Sequence, residues 1–213
     1  MEMQLSREDI EAALVQRHTR PVYETLKQAH VGIAGLGGLG SNIAVMLTRL
    51  GIGSLTLADF DKVDISNLNR QHYMIPHLGR QKTEALAEQL YQINPYIRLT
   101  LHCQKVTQDN AGEIFGDCAI VCEAFDDPGA KAVLVNTLLQ DFPAKKIIAA
   151  SGLAGYGSAN TIQTRQAMKN LYVCGDNESD IADGLCLMAP RACLCAAHQA
   201  NMALRILLGQ TQP

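Results

Sequence analysis

The feature that most constrains the fold of this chain is a short apolar run that leads directly into a glycine-rich loop. The run covers residues 31–34, and the loop places Gly35, Gly37 and Gly40 at the spacing G-x-G-x-x-G. A short, continuous apolar run is typical of a parallel strand that is buried on both faces. Glycines at this spacing allow a tight turn, a close approach of the backbone to phosphate groups, and close packing of the next helix. The pattern predicts a strand, loop and helix that bind the phosphates of a nucleotide.

Predicted strands and helices alternate from residue 29 to residue 150. The hydrophobic pattern predicts strands at residues 31–34, 54–58, 97–103, 118–122 and 146–150, and helices at residues 39–50, 79–92, 107–115 and 128–140. Such alternation is typical of a parallel sheet with helices on both faces. We therefore expect an α/β fold whose nucleotide-binding core is a Rossmann-like, mostly parallel sheet.

The two ends of the chain depart from this alternation. Residues 1–28 are predicted to form an N-terminal helical arm, capped at Ser6 and divided into two short helices by Pro21. In the C-terminal part, 151–213, the pattern predicts an edge hairpin, a polar and mobile crossover segment and a final helix, at residues 160–174, 176–186 and 190–208 respectively. At a length of 213 residues, a single domain over 1–213 is the expectation.

Composition and charge exclude several classes of protein. The formal net charge is −3, whereas a nucleic-acid-binding face normally makes the balance basic. No apolar run approaches the length that spans a bilayer, so we expect no membrane segment. The 7 cysteines have irregular spacings and form no C-x-x-C pair, which favours buried thiols over a disulfide framework or a structural zinc site. A cytoplasmic globular protein is therefore expected.

The segment after the second predicted strand bears on whether the nucleotide is NAD or ATP. Asp59 ends that strand, where a carboxylate accepts hydrogen bonds from ribose hydroxyls in either nucleotide. A polar run then delivers Asn67, Arg70 and Gln71, and Lys82 lies on the next helix. Backbone N–H groups and the helix dipole usually suffice for the pyrophosphate of NAD, so the cations Arg70 and Lys82 favour a triphosphate. An NAD-dependent oxidoreductase, with both cations as solvated surface charges, is the alternative.

Asp126 follows the fourth predicted strand. Ligands of open parallel sheets bind outside the carboxyl ends of the strands, which favours a metal-binding role for this carboxylate. Asp127 stands before Pro128, a pattern typical of a helix N-cap, and the alternative is that Asp126 is only its neighbour.

Together these residues resemble the ThiF/MoeB/HesA family, the bacterial relatives of ubiquitin-activating enzymes. The matching stretches are the glycine loop to Ser41, the run from Asp59 to Gln71, the Gly-x-x-Lys at 79–82, and Asp126. The resemblance covers roughly residues 10–208 and is greatest to the short ThiF branch, which acts with the sulfur carrier ThiS in thiamine biosynthesis.

The resemblance implies an adenylyltransferase that uses ATP and Mg²⁺. Such an enzyme activates the C-terminal glycine carboxylate of a small ubiquitin-fold carrier as an acyl-adenylate and releases pyrophosphate. The nucleotide-binding residues that it implies are Gly35, Gly37, Gly38, Gly40, Asp59, Asp61, Asn67, Arg70, Gln71 and Lys82. Asp59 would hold the ribose, Asn67, Arg70 and Lys82 would contact the phosphates, and Asp126 would bind magnesium.

The resemblance also implies a residue that acts between subunits. Arg20 falls where the family has an arginine that reaches into the partner subunit's site, which implies a homodimer. His18 and Pro21 stand where the family usually has tyrosine and glutamine. A carboxylate is already ionised at pH 7, so catalysis reduces to positioning and positive charge, to which Arg20, Arg70 and Lys82 would contribute.

Cys186 lies near the place where relatives have a crossover loop and a reactive cysteine. The resemblance implies a thiol that forms a thioester or an acyl-disulfide with the activated carrier, and ordinary packing beside Leu185 and Leu187 is the alternative. The implied partners are a ThiS-like carrier with a Gly-Gly C-terminus and a cysteine desulfurase as sulfur donor. The competing hypotheses are a carrier of the molybdopterin-synthase type, a modified tRNA, and a non-catalytic nucleotide-binding protein that docks a carrier.

Overall fold

The strands run in the order β3-β2-β1-β4-β5-β7-β6 across one sheet of the computed structural model, which describes residues 5–213. The strands are β1 (His30–Ala34), β2 (Ser54–Ala58), β3 (Arg98–His102), β4 (Ile120–Glu123), β5 (Lys146–Ala150), β6 (Gln163–Met168) and β7 (Leu171–Gly175). The helices are α1 (Arg7–His18), α2 (Arg20–Gln28), α3 (Gly40–Arg49), α4 (Lys82–Ile93), α5 (Gln108–Phe115), α6 (Pro128–Asp141) and α7 (Ala189–Leu207).

All neighbouring strands are parallel except β6, which pairs antiparallel with β7 at the edge of the sheet. The prediction of a Rossmann-like, mostly parallel α/β sheet with a C-terminal edge hairpin is confirmed. Because β1, β2, β4, β5 and β7 are parallel, the segments that follow them all leave the same edge of the sheet. This edge, called the carboxyl edge below, carries most of the predicted site residues.

Helices cover both faces of the sheet. On one face α3 packs between α4 and α7, and side chains such as Ile43 and Leu86 are buried in the larger hydrophobic core. On the other face α5 packs against α6, with Phe115 and Leu138 fully buried. β1 has β2 and β4 as neighbours and buries four of its five residues, as its uninterrupted apolar sequence predicts.

The N-terminal arm consists of α1 and α2, as predicted, and residues 1–4 of the predicted arm lie outside the described residues. Ser6 caps α1 through a reciprocal pair of hydrogen bonds with Asp9, and the chain changes direction at Thr19, where φ is +74°. The arm packs against the opposite, amino edge of the sheet: Gly53, just before β2, donates its N–H to the carbonyl oxygen of Leu26 at 3.0 Å.

Two elements begin three residues later than the sequence predicts. The helix predicted at 79–92 begins at Lys82, because Gly79 has a φ of +79° and Gln81 pairs with Lys62 in an isolated bridge. The first strand of the hairpin begins at Gln163 and not at residue 160, since Ala159–Thr161 form a 3-10 turn that is capped by Ser158. Within residues 5–213 there is no helix with the length and hydropathy that a membrane-spanning segment needs.

Candidate functional site

The glycine loop joins β1 to α3 at the carboxyl edge. Gly35 has a φ of +89°, and a Cβ at this position would lie 2.8 Å from the carbonyl oxygen of Ala124, at the end of β4. A Cβ on Gly40 would lie 1.8 Å from the carbonyl oxygen of Gly35. Both glycines are therefore required by the close approach of backbone to backbone. Helix α3 has no side-chain cap at Leu39. The N–H of Ser41 donates to the Gly37 carbonyl oxygen at 3.1 Å, whereas the N–H of Gly40 has no partner among the described residues and is available to an anion.

Asp59, Asp61 and Lys82 form a charged cluster beside this loop. The Asp59 carboxylate accepts the N–H of Leu36, in the loop, at 2.7 Å, and the N–H of Asp61 at 2.8 Å. The Lys82 ammonium lies 2.8 Å from Asp61 and 3.9 Å from Asp59. Burial raises the pKa of Asp59, whereas Lys82 and the two N–H donors act in the opposite direction. A buried carboxylate and a buried ammonium thus meet at the phosphate loop.

Arg70 lies directly against the glycine loop. Its Cγ is 3.2 Å from the position that a Cβ on Gly38 would occupy, so the arginine stem occupies space that glycine leaves open. Its guanidinium Nη1 donates to the Asn69 side-chain oxygen at 2.9 Å and, more weakly, to the Ser66 carbonyl oxygen at 3.4 Å. Both acceptors are neutral, and a phosphate oxygen would form a stronger, charge-assisted hydrogen bond.

Asn67 and Gln71, which flank Arg70, have different surroundings. The side-chain oxygen of Asn67 accepts the N–H of Asp64 at 3.0 Å and so caps a short 3-10 turn, which leaves only its amide nitrogen for a ligand. Gln71 is buried beneath the loop, with its Nε2 3.7 Å from the position of a Cβ on Gly37. Its Oε1 has no hydrogen-bond partner among the described residues. The structure thus brings Gln71 to the loop, whereas the side chain of Asn67 is engaged within its own 3-10 turn.

Asp126 is exposed at the carboxyl edge, after β4, and makes no hydrogen bond or ion pair within residues 5–213. Its neighbour Asp127 caps α6 and accepts the N–H of Ala130 at 2.6 Å, so the helix start uses Asp127 and leaves Asp126 free. The described residues contain no group of three or more His, Cys, Asp or Glu side chains that could hold a metal ion. A lone carboxylate suits Mg²⁺, which commonly takes one or two carboxylates together with substrate phosphates.

A buried ion pair that the sequence analysis missed supports the turn that carries Asp126. Glu123 is fully buried at the end of β4 and pairs with the Lys131 ammonium of α6. Its other oxygen accepts the N–H of Phe125 at 2.7 Å, and Lys131 also donates to the Ala150 carbonyl oxygen at 2.8 Å. Burial raises the pKa of Glu123. The residues at these positions carry no local sequence signal, because their pairing depends on how α6 packs over the sheet.

The segments after β5 and β7 are joined by a second buried ion pair. Arg191, in the first turn of α7, is 4% exposed. It donates to the Asp176 carboxylate at 2.5 Å and to the Ser158 carbonyl oxygen at 2.9 Å. Although burial opposes the change, hydrogen bonds from Ser179 and Glu178 and the charge of Arg191 lower the pKa of Asp176. The segment predicted as mobile is therefore anchored at its start.

Cys186 is exposed in the extended stretch that precedes α7. Its carbonyl oxygen accepts the N–H of Gly155 at 2.8 Å, and the next carbonyl oxygen, of Leu187, accepts from the Asn69 side chain at 3.1 Å. Leu185 packs against Gly155. Cys186 thus lies between the segment that follows β5 and the segment that carries Arg70.

Arg20 is the one predicted site residue that the structure places away from the carboxyl edge. It lies at the start of α2, in the arm at the amino edge, and its side chain is 57% exposed. The guanidinium is 2.5 Å from Glu11 and 3.5 Å from Glu24. These partners raise the pKa of Arg20, Glu11 most of all. No hydrogen bond or ion pair of the described arm reaches the glycine loop of the same chain, which lies at the opposite edge of the sheet, so a catalytic role for Arg20 requires a second chain.

Comparison with known proteins identifies relatives of this chain. The model of the ThiF family matches residues 10–213. A stretch of 129 residues is 34% identical to ubiquitin-like modifier-activating enzyme 5 of Drosophila willistoni and covers 61% of this chain and 31% of that protein. A stretch of 109 residues is 40% identical to the tRNA threonylcarbamoyladenosine dehydratase of Escherichia coli K12 and covers 50% of this chain and 41% of that protein. The matches thus span less than half the length of these curated relatives.

Solved structures share the fold over the whole chain. The E. coli tRNA N6-threonylcarbamoyladenosine dehydratase TcdA, in complex with AMP, has a TM-score of 0.85 at 22% identity and covers 98% of this chain and 99% of that chain. E. coli MccB with ATP has a TM-score of 0.71 at 20% identity and covers 100% of this chain and 66% of that chain. At these identities the likeness shows the fold, and both of these folds were solved with an adenine nucleotide.

Proposed function

The chain belongs to the ThiF family, and we propose that it transfers AMP from ATP to the C-terminal carboxylate of a small carrier protein. The observation that supports this most strongly is the position of Arg70 against Gly38. That contact puts a guanidinium at the start of α3, where its N–H groups and dipole already favour an anion. The site therefore offers more positive charge than a dinucleotide needs, which favours ATP over NAD.

The reaction that fits this charge distribution needs no general base. A carboxylate oxygen of the tail attacks the α-phosphorus of ATP, the bond from that phosphorus to the bridging oxygen of the β-phosphate breaks, and pyrophosphate leaves with the bonding electrons. No proton is transferred, because the carboxylate is already ionised at pH 7. The site has to hold two anions together and stabilise the charge that develops on the leaving group.

The residues divide this work between them. Arg70 and Lys82 would contact the phosphates, with Lys82 shared between the nucleotide and the carboxylate of Asp61. Asp59 would accept hydrogen bonds from the ribose, and Gln71 would orient the loop through its buried amide.

Asp126 is the free carboxylate that would bind Mg²⁺, and Mg²⁺ would supply positive charge to the phosphates. Asp126 lies on a turn that Glu123 holds by accepting the N–H of Phe125, and this contact favours a defined position for the Asp126 carboxylate.

A ThiS-like sulfur carrier with a Gly-Gly terminus is the substrate that we propose. A narrow tail without side chains suits the stretch from Gly152 to Gly157, which leaves β5 at the carboxyl edge and is joined to the crossover segment by Arg191. Thiamine biosynthesis as the pathway, and a cysteine desulfurase as sulfur donor, complete this proposal. The Cys186 thiolate would attack the acyl carbon of the adenylate to form a thioester, and AMP would leave. If the desulfurase had first converted Cys186 to a persulfide, the same attack by its outer sulfur would give an acyl-disulfide, again with release of AMP. The exposure of Cys186 at this edge supports that role.

A carboxylate on a modified tRNA is the second candidate substrate. It is favoured by the 40% identity to the E. coli tRNA threonylcarbamoyladenosine dehydratase over 109 residues. The net charge of −3 is against it, because tRNA binding depends on neutralising phosphates with lysine and arginine. A carrier of the molybdopterin-synthase type requires the same core chemistry and is distinguished only by the substrate itself.

Radioactive label transfer tests the proposal. The full chain with Mg²⁺ is incubated with a Gly-Gly carrier and ATP that is labelled at either the α- or the γ-phosphate, and the acid-quenched carrier is then analysed. We expect label on the carrier from α-labelled ATP alone, and none on a carrier that lacks its terminal glycines. Label from γ-labelled ATP would mean phosphorylation and would contradict the proposal, and label on tRNA in a parallel reaction would support the second candidate.

A further inference from the structure

Asn69 connects the proposed phosphate-binding arginine to the strap, which we define as residues 185–188. Its side-chain oxygen accepts from Arg70 at 2.9 Å, and its side-chain nitrogen donates to the Leu187 carbonyl oxygen at 3.1 Å. The side-chain amide of Asn69 thus makes two hydrogen bonds, one to Arg70 at the nucleotide site and one to the strap. Asn69 itself is exposed, so no burial explains why it holds this orientation.

The strap has two anchors before α7 begins. On the side of the sheet, Gly155 donates its N–H to the Cys186 carbonyl oxygen at 2.8 Å, and Leu185 packs against the same glycine. On the side of the phosphate loop, the hydrogen bond from Asn69 to Leu187 is the strap's only hydrogen bond to the polar run that carries Arg70, within residues 5–213. The two anchors hold the strap at the edge where a carrier tail would have to enter.

We propose that Asn69 is a positioning residue that couples ATP binding to the position of the strap, and so to entry of the carrier tail. This inference rests on the proposed function. The guanidinium of Arg70 has neutral partners only, and charge-assisted hydrogen bonds to phosphate are roughly twice as strong as neutral ones. When ATP binds, Arg70 turns from Asn69 to the phosphates, the amide of Asn69 loses the partner that orients it, and the Leu187 anchor weakens.

The coupling has a defined size and direction. One amide-to-carbonyl hydrogen bond corresponds to about a 2- to 10-fold change in an equilibrium constant. ATP therefore increases the accessibility of the strap by that factor, and by reciprocity a bound tail increases the affinity for ATP by the same factor. ATP and the carrier tail therefore bind with positive cooperativity.

The thiol of Cys186 allows the position of the strap to be measured directly. The full chain is treated with N-ethylmaleimide, with and without Mg²⁺ and ATP, and alkylation is followed residue by residue by peptide mass spectrometry. Cys103 is also exposed, has no hydrogen bond to the strap within residues 5–213, and is the internal control for comparing chains that differ at residue 69. We expect ATP to raise the alkylation rate of Cys186 about 2- to 10-fold, and the ATP-free rate of Cys103 to be the same in every chain.

Two variants of Asn69 test the connection. In Asn69→Ala, we expect Cys186 to be alkylated without ATP as fast as the wild type is with ATP, and the addition of ATP should not raise this rate further. Asn69→Asp keeps an acceptor for Arg70 but loses the donor to Leu187, so Cys186 again reacts fast while the carboxylate competes for Arg70 and weakens ATP binding. Asn201→Ala makes the same chemical change at an exposed position of α7 and should behave as the wild type.

The outcomes separate this inference from the proposed function. An Asn69→Ala chain that keeps the wild-type rate without ATP, or the wild-type response to ATP, overturns the coupling. An equal decrease of the Cys186 rate by ATP in the wild type and in Asn69→Ala means simple shielding by the nucleotide and also overturns it. Failure of the wild type to bind ATP in calorimetry refutes the proposed function, whereas the ATP-free comparison of the two chains still tests the anchor.

Discussion

Gly38 and Gly40 lie in the same loop but are required for different reasons. A Cβ on Gly40 would meet the backbone of Gly35 at 1.8 Å, and a main-chain carbonyl cannot move without breaking the turn. A Cβ on Gly38 would meet the Cγ of Arg70 at 3.2 Å, which is a flexible side chain. Gly40 is thus required for the backbone packing of the loop, whereas Gly38 allows the close approach of Arg70.

Alanine substitutions at these two positions should separate stability from nucleotide binding. We expect Gly40→Ala to lower the free energy of unfolding by about 3 kcal/mol or more. Gly38→Ala should leave stability within about 1 kcal/mol of the wild type and should weaken ATP binding about 2- to 10-fold, as Arg70 is displaced. Urea unfolding and calorimetric titration with ATP measure the two effects. Equal loss of stability in both variants would contradict this division.

Asp126 and Asp127 provide a matched pair for the proposed magnesium role. Asp126→Asn removes the free carboxylate and should lower Mg²⁺-dependent adenylation by about 10²-fold or more, by analogy with other preorganised electrostatic groups. ATP binding without Mg²⁺ should stay unchanged. Asp127→Asn keeps an N-cap oxygen and should retain near wild-type activity. Similar activity in the two variants would assign no metal role to Asp126.

Sequence reasoning found the residues that line the candidate site at the carboxyl edge and missed the buried ion pairs that support the turns around it. Asp59, Arg70 and Asp126 could be predicted because each follows a strand or a glycine loop at a recognisable spacing. Glu123 and Arg191 could not, since their partners Lys131 and Asp176 are brought to them by the packing of α6 and α7. A buried charge pair depends on tertiary contacts that no local pattern reports.

At the scale of elements, β1, β2, β4, β5 and the helices between them were predictable because each buries one apolar stripe or one apolar run. The predicted boundaries were wrong where polar side chains form hydrogen bonds with backbone groups that a strand would use. Ser158 is an example, since it caps a turn where a strand was predicted. The crossover segment is a second case in which local sequence was insufficient. Its acidic composition predicted a mobile segment, whereas the buried Arg191 anchors its first residue, Asp176. The hydrogen bonds of Asp176 with Arg191 and Ser179 make this anchor.

The anchor between β7 and α7 should contribute to stability in a way that depends on pH. The pKa of Asp176 is lowered in the folded chain, so its contribution is present above the unfolded pKa, near 3.9, and is lost as the pH falls through the folded value. Asp176→Asn should therefore cost about 1.5–3 kcal/mol at pH 7, and the difference from the wild type should shrink below about pH 4. Urea unfolding across this pH range measures the effect, and a constant difference would contradict it.

At the scale of the whole molecule, the arm and the glycine loop lie at opposite edges of the sheet. Arg20 is held by Glu11 at the amino edge, so it can serve only the site of a partner chain in the proposed homodimer. Arg20→Ala should lower adenylation by about 10³-fold or more and leave ATP affinity largely intact, by analogy with arginine fingers.

Mixing two inactive variants tests whether Arg20 acts between chains. Arg20→Ala and Asp126→Asn are unfolded together and refolded, so that chains exchange at random. Mixed dimers then contain one site with both residues, and about a quarter of wild-type activity should return, since half of the dimers are mixed. Recovery should be absent when either variant is refolded alone. No recovery in the mixture, with normal dimers present, would place Arg20 outside the active site.

The most direct measurement of the central claim is ATP–pyrophosphate exchange by the full chain with Mg²⁺. It is run with a carrier that ends in Gly-Gly, with the same carrier lacking these glycines, and with tRNA. We predict exchange with the intact tail alone, because only a reversible acyl-adenylate returns labelled pyrophosphate to ATP. Saturable ATP binding without exchange in all three reactions would contradict adenylation of a carboxylate and would leave a nucleotide-binding protein without this activity.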